Sequence, residues 1–129
     1  MAEIDIPEIK AEVEAAFRRY EDALNANALE VLDELFWDSA LTVRYGIAEN
    51  LYGKDEIRKF RSGRAAAGLT RTISRTVITT YGRDFATAMT LFSRESAAGK
   101  IGRQSQTWIR TPEGWRVVAA HVSLIDKND

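Results

Sequence analysis

The first third of the chain has the hydrophobic spacing of helices. Between residues 7 and 25, apolar residues recur at intervals of three and four, which places their side chains on one face of an α-helix. This apolar stripe consists of Ile9, Val13, Phe17, Tyr20 and Leu24. Pro7 suits the first turn of a helix, where the N–H that proline lacks has no intrahelical partner. Residues 28–37 predict a second, shorter helix.

The rest of the chain has mainly the pattern of strands. Residues 40–45 alternate and predict a strand, residues 46–53 a loop, and residues 54–67 a third helix that is loosened near Gly63. Four segments rich in Thr, Val, Ile and aromatic residues follow, separated by short turn sequences. They cover residues 71–81, 84–97, 101–111 and 115–125. This order predicts an α+β fold with helices on one face of a mostly antiparallel sheet.

Composition narrows the class of protein further. The 129 residues suit one domain over residues 1–129, and no apolar run approaches the ~20 residues of a membrane span. The N-terminal segment lacks the basic and apolar regions of a signal peptide, so we expect a cytoplasmic protein that does not bind membranes. A net charge of −1 gives no support for nucleic-acid binding. Without cysteine and with one histidine, the chain cannot form thiolate or multi-histidine metal sites.

Arginine is the most informative charged residue. The chain has 13 arginines and five lysines, and arginine presents a rigid fork of donors that suits carboxylates. Arg44 lies in an apolar strand, where it either binds a ligand or forms a salt bridge with an acidic residue. The acidic candidates are Asp22, Glu34 and Asp38. The third helix carries Arg58, Arg61 and Arg64 at a spacing of three, which predicts a solvent-exposed face, with attraction of anionic substrates as the alternative.

Three segments resemble one superfamily. They are the opening helix with Phe17 and Tyr20, the strand Leu41-Thr-Val-Arg-Tyr-Gly46 and the closing Gly114-Trp-Arg-Val-Val-Ala-Ala-His-Val-Ser123. Together they resemble the NTF2-like (SnoaL-like) superfamily. The resemblance implies a cone, in which three N-terminal helices pack on a curved, mostly antiparallel sheet and a pocket lies between them.

Shorter motifs narrow the resemblance to one group. Arg44-Tyr-Gly46, Gly53-Lys-Asp-Glu-Ile57 and Gly102-Arg-Gln-Ser-Gln-Thr-Trp108 are similar to the AtzH-like group, formerly a domain of unknown function. The resemblance implies a cofactor-free, metal-free enzyme that converts 1,3-dicarboxyurea to allophanate in cyanuric acid breakdown. Tyr20 and Arg44 are then the catalytic pair, with Tyr20 transferring a proton and Arg44 holding a carboxylate. A homodimer through the sheet face and a functional link to an amidase are also implied.

Other readings of these residues stay open. Tyr20 lies on the apolar stripe and could be a core residue. The chain could also be a non-catalytic accessory or dimerisation subunit, because a fold does not dictate function. The sequence lacks Gly-x-Ser-x-Gly and Ser-x-x-Lys motifs, which argues against a serine amidase.

Five further residues are candidates for substrate binding. Gln104 and Gln106 alternate onto one strand face with Trp108 and offer amide groups beside an aromatic wall, or a dimer interface instead. His121 is the one side chain that ordinarily titrates near neutral pH, and simple alternation places it on the face of Val117. We expect His121 to shape the pocket or to be a core residue. Trp37 is a further wall residue.

Overall fold

The computed structural model describes residues 2–65 and 68–127. Within these ranges there are three α-helices and six strands, and one 3-10 turn, Glu95–Ala97, lies between the fourth and fifth strands. In chain order the elements are α1 (Pro7–Ala26), α2 (Leu29–Leu35), β1 (Val43–Tyr45), β2 (Asn50–Tyr52), α3 (Lys54–Gly63), β3 (Thr72–Tyr81), β4 (Phe85–Ser93), β5 (Lys100–Thr111) and β6 (Gly114–Asp126). The predicted α+β class is confirmed.

The strands form one mixed sheet in the order β2-β1-β6-β5-β4-β3. β1 pairs with β6 in parallel, whereas the other neighbours are antiparallel. Two details differ from the expectations. The resemblance implied three N-terminal helices, but α3 follows β1 and β2, in the order that the residue pattern predicted for the first strand and the third helix. The strand β2 occupies part of the predicted loop. A three-residue strand has too few positions for alternation to be recognised, and pairing with β1 is what orders it.

The apolar stripe of α1 faces the core, as predicted. Ile9, Val13, Phe17, Tyr20 and Leu24 are all buried and join one cluster with residues from α2, α3 and the sheet. The cluster includes Phe36, which follows α2, and Trp108 of β5. The helices therefore cover one face of the sheet, which we call the inner face, and leave the opposite, outer face open.

Cross-strand register decides which side chains share a face. On the inner face, Arg44 of β1 pairs with Ala120 of β6, which pairs with Gln106 of β5. A β-bulge interrupts the pairing of β5 with β6, since Thr107 pairs with Ala119 but Trp108 pairs with Val117. The extra residue in β6 reverses the alternation beyond it. Residues after the bulge therefore point to the face opposite to the one that simple alternation predicts.

Gly102 is required by a close approach on the inner face. A Cβ atom at this position would overlap the ring of Phe92, which lies across it from β4. We expect Gly102→Ala to lower the free energy of unfolding by about 1–3 kcal/mol, the usual cost of overpacking a filled core. Urea denaturation measures this loss. Gly63→Ala is the matched control, because no atom of the described residues lies within 4 Å of its Cβ position. An equal loss in both variants would contradict the packing role of Gly102.

Candidate functional site

The two residues proposed as a catalytic pair both lie inside the fold. Tyr20 on α1 is 3% exposed, and its ring centroid lies 6.2 Å from that of Phe36. Arg44 on β1 is 7% exposed and donates through Nη1 to Glu49 Oε1 at 2.8 Å. Glu49 replaces the three acidic partners considered from the sequence. The short β1–β2 connection brings it back to Arg44.

Gly46 makes room for this ion pair. A Cβ atom there would overlap Glu49 Oε1 and lie 2.9 Å from Arg44 Nη1. The absence of a side chain at Gly46 therefore lets the carboxylate turn inward onto the guanidinium group. The Arg-Tyr-Gly motif thus has a local structural basis.

Arg61 is buried, contrary to the expectation of a solvent-exposed arginine face on α3. It is 2% exposed, and its guanidinium carbon lies 4.2 Å from the centroid of the Phe36 ring. Nη1 donates to the carbonyl oxygen of Leu32 at 3.2 Å, while Nε has no hydrogen-bond partner among the described residues. Burial lowers the pKa of Arg61 to about 10, and the neighbouring Arg44 adds to this effect. The exposed member of the series is Arg58, which contacts Asp33.

Arg64 and Arg94 extend the group of inward arginines. Both are half-buried, and both have nitrogen atoms without a partner in the described part of the chain. Burial is the main cause that lowers the pKa of each, followed by repulsion from Arg44 for Arg64 and from Arg71 for Arg94. The cations of the group therefore repel one another.

Arg71, just before β3, is the fifth arginine of this group and is buried, with 6% exposure. Its Nε donates to Glu21 Oε2 at 3.1 Å and its Nη2 contacts Glu21 Oε1. Nη2 also donates to Gln104 Oε1 at 2.9 Å. Because Gln104 uses its oxygen in this way, its Nε2 donor is left buried without a partner among the described residues.

Phenylalanine rings support all five guanidinium groups. We call the set the arginine cluster: Arg44, Arg61, Arg64, Arg71 and Arg94. Phe60 lies 5.5 Å from the guanidinium carbon of Arg44 and 5.8 Å from that of Arg64. Phe92 lies 4.5 Å from that of Arg71 and 4.9 Å from that of Arg94. Such stacking favours the cations, but it does not neutralise them.

The charge of the cluster is unbalanced. Within the described ranges, only Glu21 and Glu49 form ion pairs with cluster members. Five guanidinium groups and two carboxylates leave an excess of three positive charges in the cluster, and Arg61 stacks on the same Phe36 ring that packs near Tyr20. A partly buried excess of this kind is unfavourable unless an anion joins it. The arrangement is therefore suited to binding an anion with more than one negative charge.

The other sequence candidates divide between two faces. Gln104 and Gln106 lie buried on the inner face, and Trp108 Nε1 donates to Gln106 Oε1 at 3.1 Å. Trp108 is fully buried, so it supports the glutamine from within the core. Trp37 is half-buried and lines a separate groove with Glu34 of α2, Lys54 of α3 and Arg116 of β6.

His121 lies away from the cluster. It is exposed on the outer face, where its ring centroid lies 6.2 Å from that of Tyr45. The β-bulge between β5 and β6 explains the misplacement from sequence, because it shifts His121 off the face of Val117. His121 thus has no place in the site that the inner face forms.

Sequence reasoning missed several members of the cluster. The regular spacing of Arg58, Arg61 and Arg64 was the available signal for two of these members, but the same spacing is typical of a solvated helix face. The predicted β3–β4 hairpin held a further signal, since Thr72 pairs with Ser93 and their outer neighbours are Arg71 and Arg94. Nothing near Glu21 or Glu49 in the sequence indicated which arginine each of them would pair with.

Two further features describe the surroundings of the site. A groove of about 580 Å³ between α1 and β3 has Glu21 and Arg71 among its lining residues. No group of three or more histidine and acidic side chains that could hold a metal ion occurs within residues 2–65 and 68–127. No helix in these ranges is both long enough and apolar enough to cross a membrane.

Comparisons with solved structures confirm the fold. A protein of unknown function from Pectobacterium atrosepticum, of the DUF3225 family, is 58% identical with a TM-score of 0.92, and the match covers 95% of each chain. A cystatin-like fold protein from Burkholderia xenovorans is 46% identical with a TM-score of 0.94, covering 99% of this chain and 100% of that one. A candidate dehydratase of the NTF2-like family from Streptomyces avermitilis shares the fold at 16% identity, with a TM-score of 0.76 and coverage of 91% and 96%.

Family comparison extends over nearly the whole chain. No curated protein gives a significant match. The fold is NTF2-like, with three α-helices and a mixed sheet of six strands, and it occurs among candidate enzymes. The AtzH-like family model matches residues 2–128. The chain therefore belongs to the AtzH-like family.

Proposed function

We propose that the protein is a cytoplasmic, cofactor-free enzyme that removes one carboxylate from an N-carboxylated urea. The substrate that fits best is 1,3-dicarboxyurea, which would become allophanate with loss of CO2 in cyanuric acid catabolism. The observation behind this proposal is the positive excess of the arginine cluster, one member of which, Arg61, stacks on the Phe36 ring that packs near the buried Tyr20. A linear urea with two carboxylates supplies the negative charge that the cluster lacks.

The proposed roles follow from the chemistry of the bond that breaks. Cleavage between a carboxylate carbon and nitrogen leaves the electron pair on the nitrogen, which must take up a proton. Tyr20 offers a phenolic proton at this site, and the cations near it favour the negative charge left on its oxygen. Arg44 can hold one carboxylate through two parallel N–H donors. Gln104 and Gln106 supply polar groups along the planar urea.

Two routes lead to the same nitrogen product. Direct decarboxylation releases CO2, whereas hydrolysis adds water to the carboxylate carbon and releases bicarbonate. Both break the same C–N bond and both need the proton that Tyr20 would supply. The first carbon species released in a rapid assay distinguishes the routes.

A coupled assay tests the function directly. The upstream amidase generates 1,3-dicarboxyurea in situ, and CO2 or bicarbonate, allophanate and ammonia are followed with and without this protein. We expect faster formation of allophanate when the protein is present. Unchanged product flow over a range of protein concentrations would contradict the enzyme proposal.

Arg44→Lys tests the carboxylate role. Lysine keeps the positive charge but loses the two-pronged geometry, so we expect KM for 1,3-dicarboxyurea to rise about 10- to 100-fold. Steady-state kinetics in the coupled assay measures the change. Lys59→Arg, the reverse exchange at an exposed position of α3, should leave KM unchanged. An unaltered KM in Arg44→Lys would remove Arg44 from substrate binding.

We also propose a homodimer formed through the outer face. Val77, Met89, Ser105, His121 and Tyr45 follow one another across five strands of that face, and Val77 and Met89 are exposed apolar residues. A row of this kind can bury apolar surface against a second copy. The same face supports the alternative that the chain is an accessory subunit of an amidase system.

The oligomeric state is testable by light scattering. We expect a dimer for the parent protein and a monomer for Met89→Lys, because an uncompensated charge would be buried in the interface. Lys59→Glu on α3 should stay dimeric. A monomeric parent would contradict the dimer, and co-purification with an amidase, together with no effect of Arg44→Lys, would favour the accessory role.

A further inference from the structure

We propose that Arg61, Arg64 and Arg94 form a second anion subsite, which holds the carboxylate that is not bound by Arg44 and makes the site selective for dianions. The identity of the dianion rests on the proposed function, whereas the subsite itself rests on the geometry of the arginine cluster. None of these three arginines belongs to the proposed catalytic pair of Tyr20 and Arg44. They act as specificity residues.

Arg61 provides the first argument. A guanidinium group that is 2% exposed has been removed from water, yet the described residues offer it one carbonyl oxygen and no carboxylate. Its Nε donor is buried without a partner. Aromatic stacking on Phe36 compensates for only part of the lost hydration. An anion next to Arg61 would accept a hydrogen bond from the free Nε donor and neutralise the charge of the guanidinium group.

Arg64 and Arg94 provide the second argument. Arg64 stacks on Phe60, the ring that also supports Arg44, and Arg94 stacks on Phe92, the ring that also supports Arg71. Neither forms an ion pair within the described ranges, and Arg64 has two nitrogen atoms, Nε and Nη2, without partners. Three cations without carboxylates thus converge from α3, the segment after it and the end of β4.

Gln104 supplies an independent observation at the same place. Its side chain is 3% exposed, and its Nε2 donor has no partner among the described residues. The amide oxygen is fixed by Arg71 Nη2 at 2.9 Å, so the amide cannot rotate to satisfy Nε2 without losing that bond. A bound oxygen acceptor would satisfy it. The free donors therefore belong to two residue types on two sides of the site.

The two other arginines of the cluster have a different environment. Arg44 has Glu49 and Arg71 has Glu21, so each already possesses a charge partner. The positive excess therefore lies with the trio. A ligand with one carboxylate would neutralise only part of it, whereas a dianion would neutralise more.

Glutarate is a suitable unreactive probe. Its carboxylate carbons are separated by three atoms, as they are in 1,3-dicarboxyurea, but it has no C–N bond to break. Its monoamide, glutaramate, has the same length and one negative charge less. Isothermal titration calorimetry of the full chain with both compounds measures the preference for a dianion without any need for turnover.

We expect the parent protein to bind glutarate at least about tenfold more tightly than glutaramate. This factor is the affinity that one hydrogen bond to a charged group usually contributes. Arg61→Gln and Arg64→Gln should each reduce this ratio at least about threefold, mainly by weakening glutarate binding. Lys59→Gln, an exposed neighbour on α3, should keep the parent ratio. Equal affinity of the parent for both ligands, or an unchanged ratio in both arginine variants, would overturn the subsite.

A stability measurement separates specificity from a purely structural role. Because the unliganded protein holds Arg61 without a countercharge, Arg61→Met should melt at or above the parent temperature while losing the preference for glutarate. A lower melting temperature with the preference retained would assign Arg61 to the core alone. A clear preference for glutarate without cleavage of 1,3-dicarboxyurea would reject the proposed function and keep the subsite. Cleavage of 1,3-dicarboxyurea without a preference for glutarate would reject the subsite and keep the proposed function.

Discussion

Replacing Tyr20 with phenylalanine should lower turnover of 1,3-dicarboxyurea by at least about 100-fold while the protein stays folded. A positioned proton donor typically contributes a factor of 10² to 10⁴, and the substitution removes only the hydroxyl. The ring that packs near Phe36 remains, so the core keeps its volume. The coupled assay measures kcat, and circular dichroism confirms the fold and the melting temperature.

Tyr45→Phe is the matched control for this loss. Tyr45 follows Arg44 on β1 but lies on the outer face, where its hydroxyl contacts that of Tyr52 at 2.9 Å, so the sheet separates it from the inner face. The same loss of one phenolic hydroxyl should leave kcat at the parent level. If Tyr20→Phe were to run at the parent rate, the proton-transfer role would have to be abandoned.

Removing Arg71 should have the largest effect on stability. Arg71→Met leaves the Glu21 carboxylate buried without its ion pair, and breaking one side of such a pair typically costs about 3–5 kcal/mol. The variant also removes the hydrogen bond that Arg71 Nη2 donates to the side-chain oxygen of Gln104. Urea denaturation of parent and variant measures the difference in the free energy of unfolding.

A double variant identifies the cause of this loss. Glu21→Gln combined with Arg71→Met removes both charges, so we expect it to be more stable than Arg71→Met alone. Arg83→Met is the exposed control, because its contact with Glu8 lies in solvent and such pairs contribute little. A loss in Arg71→Met no larger than that in Arg83→Met would show that the buried pair does not stabilise the fold.

Local patterns explain why so much of the fold was predictable. The stripe of α1 repeats at helical spacing over several turns, and the four long strands contain enough residues for β-type composition and turns to be recognised. The end of α3 at Gly63 also agrees with the predicted loosening. The short strand β2 and the parallel pairing of β1 with β6 depend on distant partners and have no comparable local pattern.

The candidate site was predictable only where a residue conflicted with its own surroundings. Arg44 stood out because a charged side chain is unusual in an apolar strand. Arg61 did not stand out, since an arginine on a polar helix is ordinary, and its burial depends on packing against Phe36. His121 was assigned to the wrong face because one bulge in β6 reverses the alternation.

The sequence by itself determined the α+β class, most of the elements, the exclusion of thiolate chemistry and the resemblance that the family match confirms. These properties depend on composition and on spacing over a few residues. The tertiary structure alone decided that five inward arginines, distant in the chain, have two carboxylates between them in the described part of the chain. Charge balance inside a fold is a sum over residues that are distant in the chain, so no local pattern contains it.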